Sequence, residues 1–135
     1  MKSTRVQTLP LRTEDDIVYV CNAVRYSMLA LTFRSLEQTK MVTAASELSR
    51  NVLIHGGGGM AVIEECDSSV VKILRVTFID KGPGIADIEM ALSDGFTTGC
   101  GLGLGLGGAK RLVHQFQIYS SLGEGTTVII TMKLA

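Results

Sequence analysis

Apolar residues recur at helical spacing from Ile17 through Cys21, Val24 and Met28 to Leu31, directly after Thr13 and the acids Glu14, Asp15 and Asp16. A threonine N-cap satisfies an orphan amide and acids in the first turn suit the helix dipole, so the pattern predicts a first helix there. Met41, Ala45, Leu48 and Val52 repeat the spacing. Ser35 with Gln38 reads as a capping box opening this second helix, which is expected to stop at the Gly56–Gly59 run. The period then changes. Met60–Cys66 and Val70–Ile79 are rich in β-branched residues and are joined by Asp67-Ser68-Ser69, which predicts a β-hairpin. Arg5–Leu11 carries Pro10, so as a strand it belongs at a sheet edge.

A third helix is expected from about Leu104 to Gln115, followed by strands Phe116–Ser121 and Thr126–Leu134 around Gly123-Glu124-Gly125. In the last strand Val128, Ile130, Met132 and Leu134 share one face. The order β, α, α, β, β, loop, α, β, β with hairpin-linked strands predicts an α+β fold. The expected architecture is a two-layer α/β sandwich, a mixed and largely antiparallel sheet with helices packed on one face. A chain of 135 residues, 46% of them hydrophobic, fits one domain, residues 1–135, with a real core.

Charge narrows the function classes. Thirteen basic and thirteen acidic residues cancel, and aromatics make up only 5% of the chain. No electrostatic footprint for nucleic acid or for an anionic membrane is expected from that balance. Cys21, Cys66 and Cys100 are odd in number, far apart and without metal-type spacing, which argues against a disulfide or zinc framework. The N-terminus MKSTRVQT has no apolar signal region and no apolar run is long enough to span a bilayer, so a cytoplasmic protein is expected.

Three motifs carry chemistry. Between Gly99 and Gly108 the chain reads GCGLGLGLGG and leads into AKRLVHQF. Glycines opening onto a helix N-terminus gather backbone N–H groups beside the positive end of a dipole, which suits a polyphosphate. No Gly-Lys-Ser/Thr closes the loop and no Val- or Ile-rich strand precedes it directly, so the Walker and dinucleotide fingerprints do not apply. Leu102, Leu104 and Leu106 interleave the glycines, and leucine needs burial, which argues against a flexible linker. Thr97 and Thr98 precede the loop as hydroxyl contacts for phosphate.

On the second helix, Glu47 and Asn51 stand four residues apart and project together. A carboxylate there can orient or deprotonate a hydroxyl, and an amide oxygen can ligate Mg²⁺; a solvated pair on a helix surface explains the same spacing. Asp80-Lys81-Gly82-Pro83-Gly84 ends an apolar strand with an acid and a tight turn. The acid suits an exocyclic amine such as that of adenine, and a plain turn again explains the residues.

Taken together in this order, Glu-x-x-x-Asn, Asp-x-Gly-x-Gly and Gly-x-Gly-x-Gly resemble the GHKL ATP-binding superfamily of histidine kinases, gyrase, Hsp90 chaperones and anti-sigma-factor kinases. ASELSRNVLIHG, VTFIDKGPGI, GCGLGLGLGGAKRLV and GEGTTVIITMK look like the RsbT-type serine/threonine switch kinases of bacterial stress signalling, along nearly the whole chain. The resemblance implies a small Bergerat-fold kinase using ATP and Mg²⁺ to phosphorylate a serine or threonine on a STAS-domain partner. A sigma factor or an effector such as a PP2C-type phosphatase is implied as a further partner. The alternative is a nucleotide-gated anti-sigma factor or effector-activating binding protein with little transfer.

Residue by residue, the resemblance implies Glu47 as base or polarising group, Asn51 for Mg²⁺ and Asp80 for the adenine amine. It implies Gly82 and Gly84 for the turn under the base, and Gly101, Gly103, Gly105 and Gly107 for the phosphate loop. Thr127 is implied near the adenine-side acid. Residues 85 to 100 read as a short ATP lid. His55 reads as a structural histidine or a neighbour of the metal site, His114 as a surface or helix-end group, and Arg50 as a surface group or a docking or phosphate contact.

Overall fold

A computed structural model of the chain describes residues 3–85, 88–92 and 105–135. Thr13 caps the first helix, α1 (Glu14–Ala30), through a reciprocal box with Asp16. The Asp16 carboxylate accepts from the Arg12 amide at 2.8 Å and from the Thr13 amide at 3.1 Å. The Arg12 amide, ahead of the other contacts, holds this carboxyl below its ordinary range. Ile17, Val20, Val24 and Met28 turn inward along α1, and Thr32, at φ 65, ends it in a left-handed residue.

The second helix, α2 (Ser35–Ile54), buries Met41, Ala45, Leu48 and Val52 as the spacing predicts. Its start corrects the expected capping box. Arg34 is the N-cap and no side chain caps it, because Ser35 already lies inside the first turn. Gln38 instead reaches back with Nε2, buried, to donate to the Phe33 carbonyl at 2.9 Å.

Strands β1 (Ser3–Leu11), β2 (Gly59–Asp67), β3 (Lys72–Asp80), β4 (Gln115–Ser121) and β5 (Gly125–Leu134) form one sheet in the order β1-β2-β3-β5-β4. Every pairing is antiparallel, and β1 with its proline lies at the edge as expected. Alternation sends Ala61 and Ile63, Leu74, Val76 and Phe78, and Val128, Ile130 and Met132 to one face, where they join the helix residues in a single core. Burying each such larger side chain is worth about 1.5–3 kcal/mol. Ser27 on α1 donates to the half-buried Glu65 of β2 at 2.7 Å, so this acid on the core side of the sheet is satisfied.

Two short helices complete the layer. α3 (Ile88–Leu92) lies in the stretch read as lid and was not anticipated there; α4 (Gly105–Leu112) packs on α2. α4 ends three residues before the expected limit, because Val113 and Phe116 are drawn into the core as the chain turns into β4. Lys110 and Arg111 fall in its last turn, where cations complement the dipole. Among the described residues, no helix is long and apolar enough to cross a membrane.

Candidate functional site

Helix α2 ends against the turn that follows β3, and backbone closeness holds the two together. The His55 and Gly56 amides donate to the Asn51 and Val52 carbonyls, and Gly58 donates to Val52 at 2.9 Å, so the glycine run finishes the helix. Gly56 then lies against Asp80. A Cβ on Gly56 would overlap the Asp80 side chain and come within 2.8 Å of its Oδ2. A Cβ on Gly82 would come within 2.6 Å of the Gly56 Cα. Only glycine allows so close an approach at these two positions. The contact brings the C-terminal turn of α2, with Asn51, beside the strand end that carries Asp80.

Asp80 is half-buried, and its Oδ1 accepts from the Gly82 amide at 2.9 Å. One carboxylate oxygen is thereby committed to its own turn. Gly84, at φ 79, adopts a left-handed conformation, and a Cβ there would overlap the Ser121 carbonyl. The turn is pinned on the β4–β5 hairpin as well. Ile85 donates to Ser120 Oγ at 2.8 Å, and Gly123 donates to the Pro83 carbonyl at 2.8 Å. Ser120 Oγ also lies 3.0 Å from the Gly125 carbonyl and 2.8 Å from Thr126 Oγ1. Ser120 and Gly56 escape motif reading, since nothing local marks them.

The register corrects one expected residue. Thr127 pairs with Ile79, on the sheet face away from Asp80, whereas Thr126 is the residue paired with Asp80. Two adjacent threonines are indistinguishable in sequence, and only alternation counted from Val128 separates them.

Glu47 and Asn51 are both half-buried on α2, one turn apart. Among the described residues, the Glu47 carboxylate has no hydrogen-bond or ion-pair partner. Arg50 is exposed, and its charge acts on the Cys21 thiol of α1, which burial pushes up. His114 accepts from the Lys133 amide through Nδ1 at 2.9 Å, away from this turn, with its Nε2 3.8 Å from Glu37. Gly105 and the buried Gly107 open α4 where it packs on α2. Thr97, Thr98, Gly101 and Gly103 lie outside the described residues.

Among the described residues, no cluster of three or more His, Cys, Asp or Glu side chains forms a metal cage. Asn51, one amide with a neighbouring carboxylate, fits a cation that takes most of its ligands from phosphates and water, as Mg²⁺ does.

Residues 37–135 match the family described as histidine kinase-, DNA gyrase B-, and HSP90-like ATPase. Over 118 residues, 87% of this chain and 89% of the relative, the sequence is 41% identical to serine/threonine-protein kinase RsbT of Bacillus subtilis. It is 30% identical over 110 residues to an anti-sigma F factor of Clostridium perfringens, covering 73% of this chain and 74% of that one. An anti-sigma F factor of Anoxybacillus flavithermus is 34% identical over 109 residues, 73% and 70% of the two chains. The fold is similar to the solved RsbU and RsbW domains of Rv1364c from Mycobacterium tuberculosis, with a TM-score of 0.65 at 21% identity. That likeness spans 98% of this chain and 33% of the other.

Proposed function

Because this chain belongs to the histidine kinase-, DNA gyrase B- and HSP90-like ATPase family, among relatives of the RsbT serine/threonine kinase, we propose that it is a partner-switching protein kinase. It transfers the γ-phosphoryl group of ATP to a serine or threonine hydroxyl on a STAS-domain protein. The observation that carries the reading is the backbone contact of Gly56 with Asp80 and Gly82, which joins the Glu47–Asn51 helix to the Asp80 turn.

Asp80 binds the adenine amine through the carboxylate oxygen that its own turn leaves uncommitted. Asn51 holds Mg²⁺, which when bound offsets charge on the phosphate oxygens. The N–H groups opening α4 at Gly105 and Gly107 face the phosphates. Glu47 accepts the proton of the partner's hydroxyl as the new O–P bond forms and the bond to the β-phosphate oxygen breaks, releasing ADP. Phosphoryl transfer asks the protein for positioning and preorganised charge rather than for a covalent nucleophile.

Incubation of the chain with γ-labelled Mg²⁺-ATP and a STAS-domain protein encoded beside it tests the reading, with label expected on a partner serine or threonine. The similarity to anti-sigma F factors favours one second reading, a nucleotide-gated binding protein with little transfer. ATP-dependent co-elution with the partner and no label would support that reading and overturn the kinase.

Gly56→Ala should lower ATP affinity at least about tenfold, equivalent to about 1.4 kcal/mol, because the added methyl displaces the Asp80 carboxylate. Calorimetric titration of ATP into wild type and variant measures it. Equal affinities would show that the Gly56–Asp80 contact has no bearing on nucleotide.

A further inference from the structure

We propose that Ser120 is a specificity-determining residue, which through the Thr126 hydroxyl makes the Asp80 site select a 6-amino purine over a 6-oxo purine. This role rests on the assignment of Asp80 to the nucleotide base and concerns how that site tells bases apart. Register places Asp80 on β3, Thr126 on β5 and Ser120 on β4 in one row across the sheet. Alternation from Phe78, Val128 and Ile118 turns all three toward the helix layer, and all three are half-buried. Cross-strand neighbours stand about 4.5–5.5 Å apart at Cβ, so Thr126 lies beside the Asp80 carboxylate.

Proton supply fixes the polarity of that row. A serine hydroxyl has one proton to donate and two lone pairs to accept with. Ser120 gives its proton to the Gly125 carbonyl at 3.0 Å and accepts the Ile85 amide at 2.8 Å. One lone pair remains, 2.8 Å from Thr126 Oγ1, so in this pair the threonine is the donor. Thr126 therefore spends its proton on Ser120, and what it offers on the Asp80 side is acceptor capacity alone. The Asp80 carboxylate also only accepts, with Oδ1 held by the Gly82 amide. Two acceptors side by side suit an exocyclic amine, which carries two N–H groups, and repel the carbonyl that stands there in a 6-oxo purine. With its proton free, the Thr126 hydroxyl would rotate, donate to that carbonyl and blunt the discrimination. Ser120 thus acts on the base through Thr126, as a positioning residue.

Calorimetric titration of the full chain with the Mg²⁺ salts of ATP and inosine triphosphate tests this role. The two nucleotides differ only at the purine 6-position and in the N1 proton that goes with a 6-oxo group. Wild type is expected to favour ATP at least about a hundredfold. Ser120→Ala should narrow that ratio at least about tenfold, because Thr126 regains a proton to donate. Loss of the Ile85 anchor by itself would weaken both nucleotides together, so the ratio separates selection from support. Thr126→Val, close in shape and without a hydroxyl, should narrow the ratio too, and Ser120→Ala added to it should change the ratio no further. Circular dichroism checks the fold of each variant. A ratio within about threefold of wild type in Ser120→Ala, or a further narrowing in the double variant, would overturn the role of Ser120. If Asp80→Asn narrows the ratio while Ser120→Ala does not, the base assignment stands and the role of Ser120 falls. Equal wild-type affinities for the two nucleotides, or an ATP affinity untouched by Asp80→Asn, would remove the base assignment and the role of Ser120 with it.

Discussion

Asp80→Asn is expected to raise the ATP dissociation constant at least about a hundredfold, equivalent to about 2.7 kcal/mol. The argument lies in how the carboxylate is already used. Oδ1 accepts from the Gly82 amide at 2.9 Å, so an asparagine must place its oxygen there and present its NH₂ where the free carboxylate oxygen stood. A donor then faces the donor of the adenine amine, and a charge-assisted hydrogen bond is replaced by a clash of polarity. The same inversion gives a second readout. The 6-oxygen of guanine accepts where adenine donates, so the variant should narrow or reverse the preference for ATP over GTP. Calorimetric titration with both nucleotides tests this, and an ATP affinity within threefold of wild type would remove Asp80 from the adenine site.

Much of this geometry is legible in the sequence, and the parts that are not share a physical reason. Helix α1 follows from Thr13 and its acids, and the buried side of β5 follows from alternation at Val128, Ile130 and Met132, because both signals are local. Gln38 looked like part of a capping box, yet it bonds the Phe33 carbonyl, since a cap residue one position earlier moves Ser35 into the helix. Helical spacing continues past Leu112, where α4 ends, through residues that the core recruits into the turn toward β4. Thr126 and Thr127 differ only in register. Gly56 looked like one of four loop glycines, and its importance comes from Asp80, which is distant in sequence and adjacent in space.

Glu47→Gln should leave ATP affinity within about threefold of wild type while lowering the rate of phosphoryl transfer by about 10²–10⁴. Glutamine keeps the length and polarity of the side chain on α2, so Asn51, one turn on, keeps its helical support. What is lost is a carboxylate that, among the described residues, has no other partner and so stands open to the partner's hydroxyl. A protein that only gates a partner by nucleotide needs Asn51, Asp80 and the glycines but no base. Transfer and binding must then separate in this variant if the chain is a kinase, and stay together if it is a binding protein. Single-turnover transfer of labelled phosphate, set beside ATP titration of the same samples, reads both quantities. Full transfer by Glu47→Gln would assign the proton to another group, and a parallel loss of ATP affinity would make Glu47 part of nucleotide binding instead.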